Sequence, residues 1–337
     1  MQSYEFSGFG DVAGLARCER PIPDLRSNEI LVRVRAASVN YRDLMVLSGT
    51  YPVAARIGLV PISDGAGEVC AIGSDVTRFA VGDRVAGTYF NRWRDGRLTR
   101  ELAAHQLGAR HDGMLTEYRA LDEEEAVAVP SHLSFEEAAT LPCAALTAWS
   151  GVKGHRPIVP GDTMLVVGGG GVALFAVQFA KIFGARVIAV TSRAGKAALL
   201  RSLGADAVLV SADLPDWDSR VLELTGGRGV EHVVEAVGPA TLARSIRSCA
   251  FDAEIALIGI FMGEAGFDGS AFAGRLVTVR RVAVGSRAAF ETMNRAIALH
   301  QLRPVIDRVF PFVEAQDAYR YFAANERTGK VVIAGAA

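Results

Sequence analysis

The sequence predicts an α/β chain of two domains, one rich in β-strand and one a doubly wound parallel sheet with crossover helices. Three observations carry this. The first third alternates apolar and polar residues at strand period. From about Pro160 short apolar strands alternate with helical segments. Between the first of those strands and its helix lies a glycine turn, Gly168-x-Gly170-x-x-Ala173. A chain of 337 residues suits two domains, and half its residues are hydrophobic, enough for a sizeable core.

Taken in order, Ile30 to Ala36 alternates as a half-buried strand, and Gly65 to Ile72 and Asp83 to Ala86 continue the pattern. Gly73-Ser74-Asp75 and Gly82-Asp83 supply turns. Phe90 to Gly113 is polar, carries five arginines, and shows no period; it reads as a long surface loop, a candidate flap. Met164 to Val167 is a short apolar strand, followed by Val172, Phe175, Ala176, Phe179 and Phe183 at helical spacing. Val187 to Val190, Ala207 to Val210, Glu231 to Ala236 and Glu254 to Ile258 are further strands with helices between. Leu276 to Gly285 is β-rich, an amphipathic helix follows Ser286, and a strand near Val309, a helix from Gln316 to Ala323 and a strand from Val331 to Ala334 close the chain.

The glycine turn has the context that a dinucleotide site requires: strand before, helix after, second strand about 20 residues on. Gly168 allows the tight turn, Gly170 lets backbone approach a pyrophosphate, and Ala173 lets the helix pack on the sheet. Gly171 and Val172 open that helix, whose N–H groups face the anion. At the end of the second strand, where an NAD enzyme usually places a carboxylate for the ribose, stand Thr191, Ser192, Arg193 and, slightly later, Lys196. Two cations and no carboxylate suit a 2′-phosphate, so NADPH is expected.

Other function classes are disfavoured. Lys+Arg is 36 against Asp+Glu 37, leaving no cationic excess for nucleic acid. No run of about 18 apolar residues predicts a membrane span, and the first residues, MQSYEFSGFGDV, lack the pattern of a signal peptide. The scattered Cys18, Cys70, Cys143 and Cys249 read as reduced thiols in a cytoplasmic protein.

Motifs along nearly the whole chain resemble the medium-chain dehydrogenase/reductase superfamily, in particular its zinc-free quinone oxidoreductase-like members. They are Ala37-Ser38-Val39-Asn40-Tyr41-Arg42-Asp43, Asp64-Gly65-Ala66-Gly67-Glu68-Val69 and Ala80-Val81-Gly82-Asp83-Arg84-Val85. Further on come Leu141-Pro142-Cys143, Leu146-Thr147-Ala148-Trp149, the glycine turn, Leu203-Gly204-Ala205-Asp206 and Gly329-Lys330-Val331-Val332. The resemblance implies a GroES-like catalytic domain from residues 1–134 and 286–337, a Rossmann NADP-binding domain over 135–285, and an active site in the cleft they form. Zinc members would carry a ligand cysteine where this chain has Asn40 and a His-Glu pair where it has Ser63-Asp64; only Cys143 matches. One thiolate cannot build a three-ligand site, so no metal is expected. Cys143 then reads as a small buried residue, and His105 and His111 as a hydrated surface pair.

By the same resemblance, Asn40, Thr147, Gly259 and Ile260 line the nicotinamide and Val237 and Gly238 lie beside the ribose. Ser286, Arg287 and Lys330 close the side of the cleft. Asn40 reads equally as a loop-capping amide. Tyr51 matches a proton-donor tyrosine of the family's enoyl reductases, with Tyr41 and Tyr89 as rivals. The reading is an NADPH-dependent, zinc-independent oxidoreductase that passes hydride to a quinone or an α,β-unsaturated carbonyl compound, acting as a homodimer. The alternatives are a zinc-free NADP-dependent alcohol dehydrogenase or aldehyde reductase, and a non-catalytic NADPH-binding sensor.

Overall fold

A computed structural model of the protein describes residues 1–259, 269–324 and 326–336. The chain divides into two compact units, Met1–Leu146 with Gly285–Ala337, and Thr147–Val284.

In the first unit a sheet runs in the order Ile306–Phe310, Lys330–Ala334, Glu29–Val39, Asp64–Ile72, Arg84–Gly87, Ala126–Ala128, and Tyr118–Asp122 also pairs with Glu29–Val39. The hairpin Gln2–Phe6 with Leu15–Glu19 accompanies it. Glu29–Val39 organises the unit, because two antiparallel bulges interrupt its pairing with Asp64–Ile72. Ile30, Val32 and Val34 enter one core with Val69, Val85 and Leu121. After the second bulge the parity changes, and Ala37 and Val39 enter another core with Phe6, Phe312, Tyr319 and Ile333. An extra residue in one strand re-aims every side chain beyond it.

The stretch expected as a featureless surface loop is only partly so. Thr99 caps a helix at Arg100–Ala104, its hydroxyl accepting from the Leu102 N–H. Gln106 to Ala109 are buried, and Leu107 packs with Met114 and Leu121. A five-residue helix is too short to display a period, and one inward leucine among arginines gives no pattern to read.

The second unit is a parallel sheet in the order Ala207–Val210, Arg186–Thr191, Thr163–Val167, Val230–Glu235, Cys249–Leu257, Val277–Arg281. In chain order this is 3-2-1-4-5-6, with crossover helices Gly171–Ile182, Ala197–Ser202, Trp217–Leu224 and Pro239–Arg247. The order reverses between the first and fourth strands, and at their carboxyl ends such sheets bind ligands. Thr163–Val167 is buried throughout, which is why it reads as an unbroken apolar run rather than an alternation. Among the described residues no helix is long and apolar enough to cross a membrane.

Candidate active site

Strand register assembles the first group. Val39 lies opposite Val331 and Ser38 opposite both Val332 and Asp64, which brings Asn40, Asp64 and Lys330 to one end of three neighbouring strands. The buried Lys330 ammonium donates to the Asn40 amide oxygen at 2.5 Å and to the Val39 carbonyl at 3.0 Å. Asn40 opens the helix Tyr41–Ser48 in a capping box with Asp43, whose carboxylate accepts from the Asn40 N–H at 2.8 Å. The Asn40 amide oxygen also accepts from the lysine. Asp64 is fully buried; one oxygen accepts from the Ser63 hydroxyl at 2.7 Å and the other from the Cys143 N–H at 3.1 Å. Burial raises the Asp64 carboxyl and lowers the Lys330 ammonium, each opposed by the charge of the other. Burial also raises the Cys143 thiol, with Asp64 adding to the effect.

These residues do not fit a zinc site. Burial disfavours the Cys143 thiolate, the Asp64 oxygens accept from neighbours, and the Asn40 oxygen accepts from the Lys330 ammonium, which leaves one thiol and one engaged carboxylate where a three-ligand site needs more. Among the described residues no cluster of three or more His, Cys, Asp or Glu could hold a metal ion.

The second group lies at the other end of the same helix. Gly49, at φ +74°, ends it, and the N–H groups of Thr50 and Tyr51 both return to the Met45 carbonyl. This fold-back sets the Tyr51 hydroxyl 2.7 Å from the Tyr89 hydroxyl and 2.7 Å from the Gln106 side-chain oxygen. The Arg42 guanidinium lies over both rings, 4.9 Å from the Tyr51 centroid and 5.2 Å from that of Tyr89. Arg42 donates to the Leu107 carbonyl and pairs with Asp43. Tyr51 is half-buried, Tyr89 is buried, and Tyr41 is exposed, so the two rivals of Tyr51 part company: Tyr89 is its partner and Tyr41 is remote from this cluster of bonds. His105 and His111 are not simply hydrated. Their rings stack and share a 2.8 Å N···N contact, and burial, then neighbouring positive charge, lowers both.

In the second unit Gly168 adopts φ +126°, a conformation other residues rarely take, and Gly170 caps the helix Gly171–Ile182. Nothing lies within 4 Å of where a Gly170 side chain would begin, so backbone is open to an approaching group. At Gly169 a methyl group would meet Thr191 Oγ1 at 2.8 Å and Lys196 Cδ at 2.9 Å. The turn, helix N-terminus and strand end fit a dinucleotide pyrophosphate. Lys196 is buried and its ammonium donates to the Gly169 carbonyl at 2.8 Å; Ser192 is exposed and Arg193 half-exposed. Thr147 is buried.

Some expected residues serve other groups. The Val237 and Gly238 N–H groups both donate to the buried Glu235 carboxylate, which also accepts from Thr241 and Ser245. The Gly259 N–H donates to the Glu235 carbonyl. Ser286 caps the helix Arg287–His300, and Arg287 pairs with Glu124 and Glu291. Ile260 lies outside the described residues. Reading the sequence missed Gln106 and Glu235 altogether, and quoted Arg42 only as part of a motif.

Two family models match. "Alcohol dehydrogenase GroES-like domain" covers residues 26–131 and "Zinc-binding dehydrogenase" covers 171–299. A zinc-type alcohol dehydrogenase-like protein of Schizosaccharomyces pombe is 39% identical over 98% of this chain and 96% of its own length. A 2-methylene-furan-3-one reductase of Solanum lycopersicum is 30% identical over 99% of this chain and 79% of its own length. A quinone oxidoreductase of Pseudomonas aeruginosa is 32% identical over 90% of each chain.

Proposed function

The chain belongs to the medium-chain dehydrogenase/reductase superfamily, and from that premise we propose a zinc-independent, NADPH-dependent reductase of quinones and α,β-unsaturated carbonyl compounds. As a member it is an oxidoreductase that uses a nicotinamide dinucleotide on a small molecule. The observation that supports the finer reading is the Asn40–Lys330–Asp64 group, in which a buried lysine donates to Asn40 at positions where, by the resemblance, zinc relatives would carry metal ligands. Without a Lewis acid, the acceptor must itself be electron-poor.

The bound cofactor supplies a hydride. The glycine turn and the helix from Gly171 would hold its pyrophosphate, Arg193 would meet the 2′-phosphate, and Lys196, on the Gly169 carbonyl, would brace the turn beside it. Asn40 is kept in orientation by Lys330 on its amide oxygen and by a 3.4 Å bond from its amide nitrogen to the Ser38 carbonyl, and by the resemblance it would line the nicotinamide. Tyr51 gives its hydroxyl proton to the enolate that hydride addition leaves on an enone, whereas the anion from a quinone is stable enough to take its proton from water. The Solanum relative, named a reductase of a methylene-furanone, and the Pseudomonas relative, named a quinone oxidoreductase, support this choice of acceptors. The Schizosaccharomyces relative favours a second reading, alcohol dehydrogenase or aldehyde reductase chemistry. The strand Val277–Arg281 ends the sheet of the second unit, and pairing of that edge with a second copy would make a homodimer. The cysteines form no disulfide among the described residues, which accords with the cytoplasm.

The test is NADPH oxidation with a panel of quinones, conjugated enones and simple aldehydes, using the parent and Tyr51→Phe. Quinones and enones are turned over and simple aldehydes are not. Tyr51→Phe lowers enone turnover by roughly 10²–10⁴-fold and leaves quinone turnover nearly unchanged. Turnover of aldehydes alone would establish the second reading.

A further inference from the structure

The Tyr51 hydroxyl does not stand alone. It shares a closed set of hydrogen bonds with Tyr89 and Gln106: 2.7 Å between the two hydroxyls, 2.7 Å from Tyr51 to Gln106 Oε1, and 3.1 Å from Tyr89 to the same oxygen. Gln106 Nε2 donates to the Ala103 carbonyl at 2.6 Å, which turns the amide so that its oxygen faces the phenols. Gln106 can therefore only accept here. Either hydroxyl can send its proton to Gln106, and Tyr89 can instead rotate its O–H onto the Tyr51 oxygen.

Beside both rings lies a buried guanidinium with spare capacity. Arg42 is 6% exposed, and among the described residues its Nε and Nη2 have no hydrogen-bond partner. Burial opposes its charge, and the buried Asp43 carboxylate, 3.2 Å from Nη1, offsets that effect. A phenolate on either ring would place a second anion beside the guanidinium.

We propose that Tyr89 is a positioning residue for proton transfer from Tyr51, donating its hydrogen bond to the Tyr51 oxygen as the proton leaves, with Arg42 balancing the charge. This rests on Tyr51 being the acid. In the step, hydride from the reduced nicotinamide forms a C–H bond at the β-carbon of the enone and the electron pair moves to the enolate. The Tyr51 O–H bond breaks, a C–H bond forms at the α-carbon, and the phenolate left behind regains a proton from water. In the resting state the Tyr51 O–H points to Gln106. As that proton moves to the substrate, the Tyr89 O–H swings from Gln106 to the Tyr51 oxygen. Tyr89 itself loses no proton, because burial holds its phenol well above the ordinary value, with Arg42 pulling the other way.

The titratable and charged groups around these hydroxyls are Arg42 and Asp43 from the helix Tyr41–Ser48, and Cys143 from the turn Leu141–Ala145. Asp43 is pushed by burial to about 6, and the Cys143 thiol is pushed up by burial.

The experiment measures kcat for enone reduction against pH in the parent, Tyr89→Phe, Tyr51→Phe and the double variant, with quinone reduction in parallel. Tyr89→Phe removes one hydrogen bond to a charged group, so enone kcat falls about 10–100-fold. Its alkaline limb moves to higher pH by roughly one unit or more, while KM and quinone turnover stay near parent values. The double variant is no slower than Tyr51→Phe. Placing 3-fluorotyrosine at position 89, a stronger donor of the same shape, moves the limb the opposite way and guards against a packing defect in the phenylalanine variant. An unmoved limb in Tyr89→Phe, or a double variant slower than Tyr51→Phe, overturns the positioning role while leaving Tyr51 as the acid. Unimpaired enone turnover in Tyr51→Phe overturns the acid, and the positioning role with it.

Discussion

Arg193 and Lys196 both stand where the 2′-phosphate is expected, but the fold makes different use of them. Lys196 lies across the glycine turn, its stem against Gly169 and its ammonium on the Gly169 carbonyl. Arg193 is half-exposed on the short segment after the second strand. Removing Lys196 should therefore loosen a turn that any dinucleotide needs, whereas removing Arg193 should, on the proposed reading, delete a phosphate contact. By calorimetric titration, Arg193→Ala should weaken NADPH by roughly 1–2 kcal/mol, about 5–30-fold, and leave NADH almost unchanged. Lys196→Ala should weaken both cofactors. Equal losses for NADPH and NADH in Arg193→Ala would remove the argument for phosphate recognition there. The two cations are legible in the sequence by their place after the second strand. The internal bond of Lys196 is not, because it depends on the chain returning 27 residues later onto the turn.

At the scale of elements, the end of the fourth parallel strand is held by one carboxylate. Glu235 is buried and accepts from the N–H groups of Val237 and Gly238 and the hydroxyls of Thr241 and Ser245, fixing the entry to the helix Pro239–Arg247. Glu235→Ala strands several buried donors and should cost about 3 kcal/mol in urea unfolding followed by the tryptophan fluorescence of the second unit. Glu235→Gln keeps an acceptor for the backbone pair and should cost about 1 kcal/mol. A cost below about 0.5 kcal/mol for the alanine variant would show that the loop does not depend on this carboxylate. Glu235 escaped the sequence reading because a charged residue inside an apolar strand looks like an exposed end; only the chain's turn back at Gly238 buries it. The first four parallel strands were legible to within a residue, since buried strands read as apolar runs, whereas the fifth begins at Cys249, five residues before the expected Glu254. Gln106 was not legible, because it sits after a helix of one turn in an arginine-rich stretch without period.

Across the whole molecule, the first unit carries the proposed acid and the buried charge cluster, and the second carries the glycine turn. The motifs name Asn40, Asp64, Cys143 and Lys330, and the mismatch with zinc ligands is legible from residue types alone. That Lys330 binds Asn40 is not, since the two are 290 positions apart and meet only through the pairing of Val39 with Val331. In the proposed reading a lysine charge takes the part of a metal's charge in this cluster, and the choice of an electron-poor acceptor follows from that proposal. The most direct check is the rate of NADPH oxidation by protein dialysed against chelator, with its zinc content measured on the same sample. With well under one zinc per chain, enone and quinone turnover should equal that of the untreated protein, and added zinc should not raise it. Activity that disappears with the metal and returns with about one zinc per chain would contradict a zinc-independent mechanism.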